Sequence, residues 1–119
     1  MQPIERVIGE FTITTDPARM DVVAIHDFLC HHSGWSNGIP IEKVRDSIAH
    51  SLNFGVFHEG KQIGFARVIS DYATIAYLGD VYVLESYRGR GLSKALMDTI
   101  MAHPNVQGLR RWINRSMAV

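Results

Sequence analysis

One stretch constrains this chain more than any other. Residues Leu78-Gly79-Asp80-Val81-Tyr82-Val83-Leu84-Glu85-Ser86-Tyr87-Arg88-Gly89-Arg90-Gly91-Leu92-Ser93-Lys94-Ala95-Leu96 run from an apolar, β-branched strand through a short polar turn and a glycine-rich loop straight into a helix. The first N–H groups of a helix have no partner inside it, and its dipole is positive there, so such a terminus receives anions and phosphate above all. Arg88, Arg90 and Lys94 add cations around the same point. Gly89 and Gly91 carry no side chain, so a ligand can come close to the backbone. The stretch predicts a loop for a pyrophosphate, formed by Arg88, Gly89, Arg90, Gly91, Leu92, Ser93 and Lys94.

Known phosphate loops narrow the reading. A P-loop requires a Gly-Lys pair, and the sequence has none. A dinucleotide fingerprint requires a third glycine where Lys94 stands. What remains is Arg88-x-x-Gly91-x-Ser93 behind a strand. This resembles motif A of the GNAT N-acetyltransferases, Q/R-x-x-G-x-G/A, which holds the pyrophosphate of acetyl-CoA. Ser93 departs from the motif's last position, but it is small and its hydroxyl can donate to a phosphate. The plain alternative is an ordinary strand-to-helix turn with a solvated basic face.

Composition sets outer bounds. A chain of 119 residues is read as one domain, 1–119. Lys plus Arg and Asp plus Glu number twelve each, and zero net charge argues against bulk nucleic-acid binding. No apolar run reaches the ~20 residues of a membrane helix, and Met1–Arg6 has no apolar signal core. Cys30 is the only cysteine, which fits a reducing, cytoplasmic setting.

Gly9–Thr15 alternates apolar and polar residues and predicts a first strand. Asp16, before Pro17, and Asp21 are both possible helix caps. Val22, Ile25, Phe28 and Leu29 recur at helical spacing, and Cys30 is expected in or near that apolar face. His31-His32 invites a metal reading, but adjacent residues do not face each other on a helix and no ligand spacing supports it, so no metal is expected. Trp35 is either a core anchor or a wall of an acceptor pocket. Pro40 opens a second helix with Ile41, Val44 and Ile48 on its inner side. Asn53–His58 and Gln62–Ile69 predict a hairpin turning at Glu59-Gly60. After the turn Asp71–Thr74, Ile75–Val83 feeds the glycine loop. The helix from Gly91 buries Leu92, Leu96 and Ile100, with Met97 and Met101 as core filler, and ends at His103-Pro104. Leu109–Ile113 predicts a fifth strand.

This order, over Phe11–Ile113, resembles the GNAT order up to its fifth strand. It implies an α+β fold of α/β/α layers, with a mixed, mostly antiparallel sheet flanked by helices. Family members usually continue with a helix and two strands, so the chain reads as truncated after strand five. The resemblance implies an N-acetyltransferase with acetyl-CoA as cosubstrate and the amine of a small molecule or peptide as acceptor. It places pantetheine on free backbone groups of Val81, Tyr82 and Val83. Many members draw a catalytic acid from a tyrosine after strand five. Here Tyr72, Tyr77, Tyr82 and Tyr87 all precede Arg88, which leaves Asp80 and Tyr77 as the catalytic candidates. Asp80 has a structural alternative as a hydrogen-bonded strand carboxylate, and Asp71 and Tyr72 are placed where an acceptor amine can pass. A CoA-binding or interaction protein without catalysis is the competing function. A third reading is an acidic-partner patch of Arg110, Arg111 and Arg115. The open edge of strand five predicts a homodimer.

Overall fold

Register and capping turn this sequence into a layered structure. The computed structural model describes residues 2–114 and 117–118, the last two by backbone alone. Its strands are β1 (Glu5–Ile8), β2 (Phe11–Thr14), β3 (Leu52–His58), β4 (Lys61–Ser70), β5 (Ile75–Val83), β6 (Arg111–Asn114) and β7 (Met117–Ala118). Its helices are α1 (Val22–His31), α2 (Ile41–Ala49) and α3 (Leu92–Ala102). The strands form a single sheet in the order β1-β2-β3-β4-β5-β6, and β7 also pairs with β5. The pairings are antiparallel up to β5, while β6 and β7 run parallel to it.

Both aspartates singled out as caps are used. The Asp16 carboxylate accepts from Ala18 N at 3.0 Å over a 3-10 turn at Pro17–Arg19, and Asp21 accepts from Ala24 N at 3.1 Å to start α1. The Glu59-Gly60 turn has positive φ at both residues, 51° and 78°, which suits a tight hairpin. The expected first strand is shorter than read. Gly9-Glu10 is the turn of a hairpin whose first arm, β1, is exposed and weakly patterned, and so gives no amphipathic signal. The fold class is as expected, but the sheet does not stop at a fifth strand. β1 precedes the expected first strand, and β7 follows β6 on the same neighbour, β5. Arg115, named in the basic patch, lies outside the described residues.

One face of the sheet carries α3. Leu92, Leu96 and Ile100 sink among Ile13, Phe54, Val56, Ala66, Val68, Leu78, Val81 and Val83. Met97 packs partly against this core, but Met101 is half exposed. It follows Ile100 by one position, about 100° around the helix, and so turns away from the sheet. The opposite face carries α1 and α2, with Ile25, Phe28, Leu29, Val44 and Ile48 over Phe65 and Tyr82. Burying each such aliphatic or aromatic side chain contributes about 1.5–3 kcal/mol before conformational entropy is subtracted. No helix among the described residues is long and apolar enough to cross a membrane.

Candidate functional site

The site is built where β5 leaves the sheet. Pairing with β4 slips between Phe65 and Arg67, because β5 carries one residue too many there. That residue is accommodated at Asp80, whose φ of 54° is left-handed. Aspartate tolerates this region better than most side chains, and a bulge re-aims the side chains that follow it. The Asp80 carboxylate ends up largely buried on the α1–α2 face, with both oxygens engaged. Trp35 Nε1 donates to Oδ1 at 3.0 Å, and Arg67 Nε donates to Oδ2 at 2.8 Å. Arg67 Nη1 also donates to Ser51 Oγ at 3.1 Å. Of the two places open to it, Trp35 takes the first: its ring packs on the α1–α2 core, its N–H meets Asp80, and it lines neither cavity beside the glycine loop.

Tyr77 lies on the same strand, upstream of the bulge. Its ring covers Gly79 so closely that a Cβ there would come within 2.6 Å of Cε1. A side chain at 79 would therefore displace the Tyr77 ring from its present position. Asp71 does not face outward as a free base. Its carboxylate accepts from the N–H groups of Ala73, Thr74 and Ile75 and from the Thr74 hydroxyl, and these bonds hold its pKa well below the usual carboxylate range. Its neighbour Tyr72 has φ 60° and is exposed.

Beyond Val83 the chain makes a 3-10 turn at Glu85–Tyr87 and enters the glycine loop. Gly89 and Gly91 have φ of 78° and 76°, and a Cβ at either would meet nothing within 4 Å. The glycines are needed for backbone conformation, and the space above them is open. Gly91 is the N-cap of α3 and offers no capping side chain, so the N–H groups of the first turn are left for a ligand. Arg88 Nε donates to the Val83 carbonyl at 2.8 Å, which ties the loop back to the strand end. Arg90 lies over the Tyr87 ring at 5.5 Å, and Lys94 pairs with Asp98 at 2.9 Å. A cavity of about 340 Å³ opens here, lined by Val83, Tyr87, Arg88, Gly91, Ser93 and Lys94 among others.

A larger cleft of about 680 Å³ lies beside it, lined by Phe28, His32, Leu84, Glu85, Ser86 and Arg88. Arg88 lines both spaces and so marks where they meet. Sequence reasoning missed Phe28 and His32 as site residues. Phe28 is on the last turn of α1 and His32 is its C-cap, four positions on, and that i, i+4 spacing was the available signal. Asp80 and Tyr77 are not among the residues lining either cavity.

The expectation of free backbone at Val81, Tyr82 and Val83 meets a correction. Val81 and Tyr82 are register partners of Met117 and Ala118, so β7 lies along that edge of β5, and among the described residues Val83 has no partner in β7. The physical reason is that an open strand edge takes up a strand when one is at hand. The Tyr82 side chain stacks on Phe28, with centroids 3.9 Å apart and planes at 9°, and burial, aided by Asp21, Asp27 and Asp80, pushes its phenol pKa up.

Comparison with known proteins agrees with this geometry. The model of the acetyltransferase (GNAT) family matches residues 23–118. A solved structure assigned to the GNAT family, from Xanthomonas campestris pv. campestris, is 51% identical with a TM-score of 0.88, covering 92% of this chain and 77% of that one. A Gibberella zeae protein carrying an acetyltransferase name is 28% identical over 111 residues, 77% of this chain and 63% of its own length. The uncharacterized N-acetyltransferase ycf52 of Gracilaria tenuistipitata var. liui is 36% identical over 86 residues, 66% of this chain. The chain thus spans 63% and 47% of the lengths of these two curated relatives.

Proposed function

This chain belongs to the acetyltransferase (GNAT) family, and on that premise we propose that it transfers an acetyl group from acetyl-CoA to the amine of a small molecule or peptide. The observation that carries the proposal is the uncapped start of α3 behind two left-handed glycines, with Arg88 between two cavities. The residues fit a pyrophosphate. The first-turn N–H groups of α3, Leu92 to Lys94, would donate to it, Arg88, Arg90 and Lys94 would balance its charge, and Ser93 would add a hydroxyl donor. From there the pantetheine arm would follow the end of β5 past Val83. Contact with Val81 and Tyr82 requires β7 to give up its pairing.

Acetyl transfer forms an N–C bond and breaks the thioester C–S bond. The amine must attack as a neutral nucleophile, so one proton leaves its nitrogen, and the departing thiolate takes one up. Asp80 and Tyr77 are our candidates for these two tasks. The Asp80 oxygens each hold one donor already, but a carboxylate has about four lone-pair sites, so an amine N–H has room for a further bond. The Tyr77 hydroxyl has no hydrogen-bond partner among the described residues. The cleft between Phe28, His32 and Glu85 is the proposed entry for the acceptor, with Glu85 supplying negative charge that favours a cationic amine. Asp80 and Tyr77 do not line it, so the amine must pass beyond the cleft or exchange its proton through water to use them.

A second reading is supported by two features: the double engagement of Asp80, and the pairing of β7 over Val81 and Tyr82. Both suit a protein that binds CoA without turning it over. Calorimetry with acetyl-CoA, followed by thiol release against a panel of amines, separates the readings. Binding with turnover supports transfer, binding alone supports the second reading, and no binding rejects both.

A further inference from the structure

Next to Tyr87, whose ring borders the glycine-loop cavity, two hairpin tips bring metal-ligating groups together. The β2–β3 ladder ends at the pair Phe11↔His58, and the turn residues next to that pair, Glu10 and Glu59, come together beside His58. One donor atom from each of Glu10, His58 and Glu59 lies within 4.8 Å of the others. We propose that Glu10, His58 and Glu59 form a binding site for a divalent transition-metal ion such as zinc.

Three observations carry this beyond a chance cluster. First, two carboxylates brought within 4.8 Å of each other repel unless something neutralises them. Among the described residues neither glutamate has an ion pair with a lysine or arginine, although Lys61 is the register partner of His58. Second, the imidazole is held in a ligating pose. Its Nδ1 is 3.1 Å from the Tyr87 hydroxyl, and its ring packs 5.0 Å from Phe11. In the tautomer whose Nδ1–H donates to the Tyr87 hydroxyl, the Nε2 lone pair is free for a metal, and Glu59 Oε1 is 3.7 Å from Nε2. A histidine that ligates through one nitrogen and donates from the other is the usual arrangement around protein-bound metals. Third, the donor set selects the ion. One imidazole and two carboxylates suit Zn²⁺ and its first-row neighbours, whereas Mg²⁺ and Ca²⁺ prefer oxygen throughout. Three protein ligands at an exposed rim leave the fourth position to water.

The test is zinc titration of the whole chain by calorimetry. One equivalent of Zn²⁺ should bind to the wild type. His58→Ala should abolish binding, and Glu10→Gln and Glu59→Gln, at exposed positions that leave the core untouched, should each weaken it. Tyr87→Phe should weaken it about tenfold by freeing the ring. His31→Ala should leave it unchanged. Long-range ¹H–¹⁵N spectra of the zinc-loaded protein should show His58 ligated at Nε2 and protonated at Nδ1. The site is overturned by a wild type that binds no zinc at millimolar concentration. Binding that persists in both His58→Ala and the Glu10→Gln/Glu59→Gln double variant, or that disappears in His31→Ala, overturns it equally.

Discussion

The Tyr82 ring lies flat against Phe28, 3.9 Å away with its plane tilted by 9°. This contact fastens the last third of β5 to α1, and so fixes the strand end from which the glycine loop departs. Phe28 also lines the larger cleft. One aromatic pair therefore joins the core to the site. Phe28→Ala should cost about 3 kcal/mol in denaturant unfolding and widen the cleft at the same stroke. A variant with unchanged stability would show that the stack does not hold the strand.

The same burial makes a pH prediction. The pKa of the Tyr82 phenol is raised by desolvation. A folded pKa above the unfolded value of about 10 gives stability that is complete below that value and lost as pH rises beyond it. Absorbance titration should show Tyr82 ionising last among the tyrosines, together with unfolding. Tyr82→Phe should remove part of the alkaline loss.

His103 acts at the acid end. It is fully buried, its Nδ1 accepts from Asn105 N at 3.1 Å, and burial lowers its pKa. A depressed folded pKa means stability that is present above the ordinary value of about 6.5 and lost as pH falls below it. Melting temperature should therefore drop between neutral and mildly acidic pH, and His103→Gln should flatten that slope. An unchanged slope would exclude His103 as its source.

At the loop, Gly91→Val forces a β-branched residue to a left-handed φ and fills the open space above the cap. It should weaken CoA binding by about tenfold or more and cost about 1–2 kcal/mol of stability. Arg88→Gln should weaken binding and cost about 1 kcal/mol of stability, since the bond to the Val83 carbonyl goes with the guanidinium. Calorimetry and thermal melts on both variants check the pair, and unchanged affinity in both removes the loop from CoA recognition.

Asp80 separates structure from chemistry. Asp80→Ala leaves the Arg67 guanidinium largely buried without its partner and should cost about 3 kcal/mol. Asp80→Asn keeps the left-handed backbone and the bond from Trp35, so it should be milder. If Asp80 accepts the amine proton, the Asn variant loses about a hundredfold or more in turnover while binding CoA normally. Brisk turnover in Asp80→Asn and Tyr77→Phe together rules out both assignments.

Assembly is the remaining proposal. Among the described residues β6 has β5 on one side and no strand on the other, and half-buried Trp112 sits on this edge strand. We expect a twofold dimer through that side, seen in light scattering as twice the 13.4 kDa of the chain. A mass that stays monomeric at all micromolar concentrations rejects it.

Much of this could be read in advance because local chemistry and tertiary need coincide. Asp16 and Asp21 cap, Glu59-Gly60 turns, and Gly89 and Gly91 open a helix, each for reasons contained in a few neighbouring residues. What escaped depends on register. β1 has too little apolar pattern to announce itself. The meeting of Glu10 with Glu59 follows from pairing between strands nearly fifty positions apart. The Trp35–Asp80–Arg67 chain needs three elements to converge on one carboxylate, and no spacing within the sequence encodes that.

The slipped residue in β5 has an effect on the strand's parity. Ahead of it the even-numbered Ala76 and Leu78 feed the α3 core, and after it the odd-numbered Val81 and Val83 do. If Asp80 were paired in strict alternation instead of bulged, Val81 and Val83 would face α1 and α2 and Tyr82 would enter the α3 layer. The bulge at Asp80 is thus a phase shifter: deleting the residue should leave Val81, Tyr82 and Val83 on their present faces in a regular strand, and take away only the carboxylate that Trp35 and Arg67 hold.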